Sequence, residues 1–541
     1  MLAAVSILLF LYGSSALTLP AYKPELERGR EEAEQILSES IDRSVAPCDD
    51  FYQFACGNWL RTAEFNNGRT NKDGLTDVQD AIFKDMIEIY EDTTESGSKI
   101  IEGMKTAFAK CTDEGEDRIA YMAEKIEQHG GWPVVDPGCA RPRVDSHLTG
   151  ITDMFLLVRN KVFLKFYTEH NESNTEGLHK HILQIGANYD YFDRSAMFKD
   201  PSSNPKQVKA YKNYMYEKIS LFKRDFQHGG YSQCPWSNSE WFRPVPRREI
   251  DRIFKLELQF AKLRRENNAW KKIQFNELYE VFPEMDWRRI MASANSPKVL
   301  QMINQNPTLT VNVGYLKALR TFLKDVDKEV LANYVFWKYM KTRFLEKYQL
   351  GGRYAEIDEV NTIMNLNIVL HQDKSAGCAQ SLTFFRETPI HATSAMYARK
   401  HVSNATETEA RVMLNTIKHA VIEILQENTW MDEKTKANAI AKINDMQLNI
   451  AYPKWIMNNT ALDAYYKDLD ITSYDSYSSI VDKIDDFIFK EAIEKTNSEL
   501  RRDSFSYPSH FANGAHAANK NSMEFPAALM RPPFFAPHFP K

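Results

Sequence analysis

The chain runs to 541 residues, 43% apolar and 12% aromatic, with 68 basic against 73 acidic side chains and a formal net charge of −5. That length exceeds one ordinary domain and predicts two or more lobes with substantial cores; the balanced charge, without a Lys/Arg block, argues against a nucleic-acid surface or a polybasic membrane patch. Glycine fills only 21 positions, below the usual ~7% of residues, which favours long helices over a turn-rich β architecture.

Residues 1–16 read as a secretory signal peptide. Leu2 to Tyr12 is an apolar run, and Gly13, Ser14, Ser15 and Ala16 are small residues suited to cleavage after Ala16. The run is shorter than the roughly 20 apolar residues that span a bilayer, and no later segment is long and apolar enough. The expectation is a secreted, extracellular protein with no membrane anchor after signal cleavage. That compartment permits disulfides and glycans. Asn171, Asn404 and Asn458 each open an N-x-Ser/Thr sequon and are candidate glycosylation sites. Residues 17–47 form an N-terminal segment.

Cys48 to Trp59 follows, with Phe51, Phe54 and Ala55 at helical spacing, Cys48 and Asp49 placed to cap, and Gly57 placed to end the turn. Eight residues along a helix separate Cα atoms by about 12 Å, beyond the ~7 Å that a disulfide tolerates. Cys48 and Cys56 therefore do not bond each other, and any partners lie elsewhere. Helical patterns cover roughly 76–92, 207–226, 248–265 and 407–427. Val330 to Phe344 is apolar on most sides and predicts a buried helix. Asp432 caps a helix from Glu433 through Met446, and Tyr477 to Ile488 carries one apolar stripe. Loops are expected near 129–146 and 228–247. Met523 to Met530 reads as a strand that leads into a proline-rich turn, Arg531 to Phe535.

The search for chemistry in these residues is mostly negative. None of the thirteen histidines is followed by Glu and no two lie four apart, so the helical zinc motif H-E-x-x-H is absent. His179 and His181 are placed to share a strand face, although a solvated loop outweighs metal binding there. His510 and His516 read as surface histidines. There is no nucleophile elbow, P-loop or C-x-x-C. The six cysteines, at 48, 56, 111, 139, 234 and 378, allow fifteen pairings.

One resemblance adds to this reading. Asp50-Phe51-Tyr52-Gln53-Phe54-Ala55-Cys56-Gly57-Asn58-Trp59 resembles the N-terminal hallmark of the neprilysin and endothelin-converting-enzyme family of zinc peptidases. Asn333-Tyr334-Val335-Phe336-Trp337, Trp430-Met431-Asp432-Glu433-Lys434-Thr435-Lys436, and Phe525-Pro526-Ala527-Ala528-Leu529 through Pro532-Pro533-Phe534-Phe535 agree with it in family order. Tyr452-Pro453-Lys454-Trp455-Ile456 is a weaker match. The resemblance implies a mainly α, two-lobed neprilysin-like architecture. Residues 48–465 would form the N-terminal and capping region, its helical capping lobe complete; residues 466–541 would form the start of a thermolysin-like catalytic lobe, only begun. In the family, a zinc held by two His of H-E-x-x-H and a later Glu activates water, with the motif Glu as general base.

That zinc motif follows shortly after the turn resembling Pro532 to Phe535 in the family, and it does not occur here. The expectation is a chain with no catalytic residue, no metal ligand and no cofactor of its own, zinc being expected for a full-length member. Peptides are the expected substrates or ligands, and nucleic acid is not. The substrate-aligning strand is similar to Asn513-Gly514-Ala515-His516, with Asn513 bonding a peptide backbone and Gly514 offering its carbonyl; Arg69 resembles an arginine that binds the substrate's far end. Cys111 and Cys378 resemble a family disulfide within the capping lobe. Cys48 and Cys56 would, by the same resemblance, pair with cysteines in a region absent from the sequence; Cys139 and Cys234, both in loop-like sequence, match no family position, and a bond between them is left open. The apolar residues Phe525, Leu529, Met530, Phe534, Phe535 and Phe539 have little chain left to cover them. An incomplete peptidase is the favoured reading, a natural non-catalytic peptide-binding or decoy protein the alternative, and a purely structural helical scaffold a third.

Overall fold

A computed structural model describes residues 24–539 apart from 64–71, 114, 116, 138–139, 142–143, 146, 160–161, 171–179, 190–194, 233–242, 346–373, 384–387 and 500. The leader, Arg69, Cys139, Asn171, His179 and Cys234 lie outside the described residues.

Helices dominate, and short polar side chains set where many of them start. The principal ones are α1 Pro24–Ser40, α2 Phe51–Thr62, α3 Gly74–Glu91, α4 Lys99–Thr112, α5 Arg118–Gln128, α6 Pro205–His228, α7 Arg247–Glu266, α8 Lys328–Tyr339, α9 Lys374–Thr383, α10 Ile390–His401, α11 Asn404–Glu427, α12 Glu433–Asp445 and α13 Tyr477–Glu494. Asp50, Asp73, Ser403, Asp432 and Ser476 each accept a hydrogen bond from the backbone N–H three residues on, satisfying a donor the helix itself leaves open. The mainly α, two-lobed reading holds.

Two small sheets organise the helices. In the first, of order β1-β2-β4-β3, β1 Leu164–His170 runs antiparallel to β2 His181–Ala187, and β2 runs parallel to β4 Thr308–Asn312. β3 Trp270–Gln274 closes it antiparallel to β4. In the second, of order β5-β7-β6, the central strand β7 Ser522–Pro526 is parallel to β5 Gln447–Ala451 and antiparallel to β6 Ala515–Ala517. α13 lies against the first sheet, its Phe489 ring 5.7 Å from Phe166 of β1 in an edge-on arrangement. Its stripe of Tyr477, Ile480, Val481, Ile484 and Phe487 is buried as the periodicity predicts.

α8 is buried on every side from Val330 to Tyr339 and continues through a π-helical turn, Met340–Leu345. Tyr334 stacks on Phe260 with centroids 4.9 Å apart. The polar Asn333 in the middle of this apolar helix has a structural task, since its Oδ1 accepts the Val134 N–H at 2.9 Å. Cys111 of α4 and Cys378 of α9 are bonded, as the resemblance implied, across 267 residues. On the chain-entropy model such a closure contributes up to about 5 kcal/mol.

The first hallmark folds differently from its expectation. Asp50 is the cap, taking the Gln53 N–H at 2.8 Å, and the helix passes through Gly57 to Thr62. Gly57 is there for closeness: a Cβ at that position would stand 2.7 Å from the Asp42 Cβ, where the stretch after α1 crosses α2. Cys48 is exposed and Cys56 half-buried, and they are not bonded to each other.

The end of the chain is also better covered than its composition suggests. The Ala528 N–H donates to the Ser509 carbonyl at 2.8 Å and Met530 is buried. Arg531 pairs with Asp85 of α3, and His538 lies 2.9 Å from Glu32 of α1, whose Gly29 leaves room for the His538 carbonyl. Of the six residues expected to be uncovered, Phe534 is exposed. The larger apolar exposure lies on α11, where only Thr406 and Ala410 are buried while Ile417 is 54% and Ile424 65% exposed. No helix among the described residues is long and apolar enough to cross a membrane.

Candidate functional site

β6 is the outer strand of the second sheet, so one side of its backbone pairs with β7 and the other forms an open edge among the described residues. An extended peptide can add to such an edge through main-chain hydrogen bonds. In register, Ala515 faces Glu524, His516 faces Met523 and Ala517 faces Ser522. Asn513 and Gly514 lead into the strand. Asn513 is half-buried, and its Oδ1 accepts the Gly514 N–H at 2.9 Å. Its side-chain NH2 is thereby left as the donor. Gly514 is exposed and passes close to its neighbour, for a Cβ there would sit 3.3 Å from the Glu524 carbonyl oxygen.

Charge buried beneath the hairpin holds this edge in place. The Glu524 side chain is fully buried and the Lys520 side chain nearly so, with Nζ and Oε1 2.6 Å apart. Lys520 Nζ also donates to the Ser504 carbonyl at 2.7 Å, and Glu524 accepts from both the N–H and the hydroxyl of Ser506. The loop that receives these bonds is tied to the sheet in turn: Asn449 of β5 donates to the Arg502 carbonyl at 2.8 Å, and Arg502 donates to the Lys520 carbonyl at 2.9 Å. A buried ion pair persists only when its remaining lone pairs and protons are satisfied, and here they are.

His510, just upstream, is not the surface residue its irregular surroundings suggested. It is fully buried, its Nε2 lies 2.9 Å from the Thr383 carbonyl at the end of α9, and burial pulls its pKa to about 4, which keeps the ring neutral. Gln79 of α3 accepts the Ala512 N–H at 3.1 Å. The approach to β6 is thus fixed from two helices. His516 is exposed, as expected. His391, which no motif singled out, is enclosed by Trp455 and Tyr465 with ring centroids 4.9 and 5.1 Å away, and burial lowers its pKa to about 3. Its only sequence signal is an apolar-flanked position in α10.

Among the described residues no three of His, Cys, Asp or Glu converge as a metal site requires. His181 opens β2 with Nδ1 3.1 Å from the Ser498 hydroxyl, a structural contact. His510 is buried and His391 half-buried, each apart from any cluster of metal-ligating side chains among the described residues. These residues do not fit a zinc ion. Of the sequons, Asn404 is exposed at the start of α11, and Asn458 is exposed and caps the Asn459–Tyr465 helix through its Oδ1.

Solved structures share this mainly helical, two-lobed body. The chain superposes on the zinc metalloprotease of Mycobacterium tuberculosis with a TM-score of 0.66 at 17% identity, over 93% of this chain and 71% of that one. The Lactobacillus rhamnosis PepO structure gives 0.67 at 14% identity, over 91% and 72%. Residues 47–453 match the model of peptidase family M13, and the chain belongs to that family of neprilysin-like, zinc-dependent metallopeptidases. It is 24% identical to neprilysin-1 of Caenorhabditis elegans over 95% of this chain and 67% of that protein. Human endothelin-converting enzyme 1 gives 23% identity over 93% and 62%. The chain spans 67% of neprilysin-1 and 58% of C. elegans neprilysin-11.

Proposed function

We propose that these residues form the capping region (48–465) and the first part of the catalytic lobe (466–541) of a secreted neprilysin-like zinc metalloendopeptidase. Their share of the work is to hold an extended peptide along β6. The observation that carries this reading is the open edge of β6, entered through Asn513 and Gly514 and braced by the buried Lys520–Glu524 pair. A bound peptide strand would take hydrogen bonds from the Asn513 side-chain NH2 and give one to the Gly514 carbonyl. Arg69 is assigned to the far end of the peptide. In a full-length family member zinc supplies the Lewis acid and the activated water. None of the 541 residues forms H-E-x-x-H, so peptide hydrolysis is not assigned to them alone.

The same reading makes residues 1–16 a cleaved signal and places the protein outside the cell with peptides as its partners. Exposure of Asn404 and Asn458 supports glycans at both, and Asn171 is a third candidate. Cys48 and Cys56 are proposed to pair with cysteines beyond these 541 residues. A non-catalytic peptide-binding or decoy role is the second reading, favoured by the same edge in the absence of a zinc motif. The test is to incubate the purified chain with a fluorogenic peptide and zinc and, separately, to titrate it with an unlabelled extended peptide. Saturable binding without hydrolysis is expected. Chelator-sensitive hydrolysis overturns the assignment, and absence of binding removes the role given to β6.

A further inference from the structure

We propose that Asn513 is a site of spontaneous deamidation, so that the entry to β6 carries a slow, irreversible chemical switch. Asn513 is followed by Gly514, and the Gly514 N–H donates to Asn513 Oδ1 at 2.9 Å. Since Oδ1 lies about 1.2 Å from its own carbonyl carbon, this contact keeps the Gly514 nitrogen within about 4 Å of the carbon it would attack. That nitrogen is outside the β6–β7 ladder, which begins at Ala515. Gly514 is exposed, without a Cβ to shield the approach, and it has the backbone freedom that ring closure requires.

The chemistry needs only water and a solvent base. The Gly514 nitrogen gives its proton to solvent base and bonds to Asn513 Cγ. The bond from Cγ to the side-chain nitrogen breaks, and that nitrogen leaves as ammonia after taking a solvent proton. Water then opens the five-membered succinimide at either carbonyl. Opening at Cγ yields aspartate; opening at the main-chain carbonyl yields isoaspartate, which routes the backbone through Cβ and Cγ. Either product replaces the free side-chain NH2 with a carboxylate.

Asn521 shows what a protected asparagine looks like in the same hairpin. Its Nδ2 donates to the Lys442 carbonyl at 2.9 Å, and it is followed by Ser522, fully buried and paired in β7. The other Asn-Gly pair, Asn67-Gly68, lies outside the described residues.

The modification is independent of the peptide-binding role; its consequence for binding rests on that role. The experiment ages the purified 541-residue chain in mildly alkaline buffer and follows each asparagine by peptide mapping with isoaspartate-specific labelling. Accumulation of aspartate and isoaspartate at 513 with Asn521 intact is expected. Asn513→Gln, which leaves Gly514 unchanged, should suppress the reaction, and Gly514→Ala should slow it by an order of magnitude or more. An intact amide at 513 after Asn521 has begun to react overturns the proposal, as does an unchanged rate in both variants. If 513 is modified while peptide affinity stays constant, the modification stands and the role of Asn513 in binding falls.

Discussion

Replacing Lys520 with Met should loosen the β6–β7 hairpin without touching its exposed face. The substitution removes a side chain that holds Glu524 at 2.6 Å and the Ser504 carbonyl at 2.7 Å. It leaves the Glu524 carboxylate, itself fully buried, with only the Ser506 N–H and hydroxyl as donors. Breaking a buried pair by removing one partner costs about 3–5 kcal/mol, because the charge left behind is not compensated. Removing both charges with Lys520→Met and Glu524→Leu should recover most of that, since an apolar pair of similar volume is often no worse than the ion pair. A two-lobed chain need not unfold in one step, so the assay is native-state hydrogen exchange at the amides of 515–517 and 522–526. The single variant should lose several kcal/mol of protection there and the double variant much less, a coupling that a double-mutant cycle isolates. A single-variant loss below about 1 kcal/mol, as for an exposed pair, would refute the reasoning.

Other expectations follow from features outside the hairpin. Cys111→Ala with Cys378→Ala should cost about 2–5 kcal/mol and lower the thermal midpoint; an unchanged melting curve would contradict it. His510 and His391 have pKa values lowered to about 4 and about 3 by burial, so the unfolded chain binds more protons than the folded one below about pH 6.5. The stability they allow is complete above that pH and is lost as pH falls toward 4 and 3, roughly 3–5 kcal/mol for each ring. His391→Phe should make the acid slope shallower by one proton, read by denaturant titration across that window. On α11, Ile417→Lys and Ile424→Lys should reduce binding of a hydrophobic dye and self-association, with stability changed by less than about 0.5 kcal/mol.

What was legible depended on how local the cause was. Asp432 could be read as a cap because its partner is three residues away, and the stripe of α13 because its spacing alone defines a buried face. The Cys111–Cys378 bond came from resemblance, since spacing cannot choose among fifteen pairings. Gly57 reads as a helix stop until Asp42 is seen crossing above it. His510 looked superficial because nothing near it in sequence reveals that the end of α9 and Gln79 close over it. Glu524 alternates with apolar residues in a way that would put a carboxylate in solvent, and only the turn that returns Lys520 beneath the sheet explains its burial. In α11 the periodicity was visible, but whether that face is covered is a tertiary fact.

The role proposed for β6 is to hold an extended peptide along its open edge. The direct measurement is hydrogen exchange of the purified chain with and without a saturating extended peptide. Added protection concentrated at 513–517, and its loss in Asn513→Ala, is the expected result. Binding that leaves those amides exchanging as before, or that protects them equally in Asn513→Ala, would contradict it.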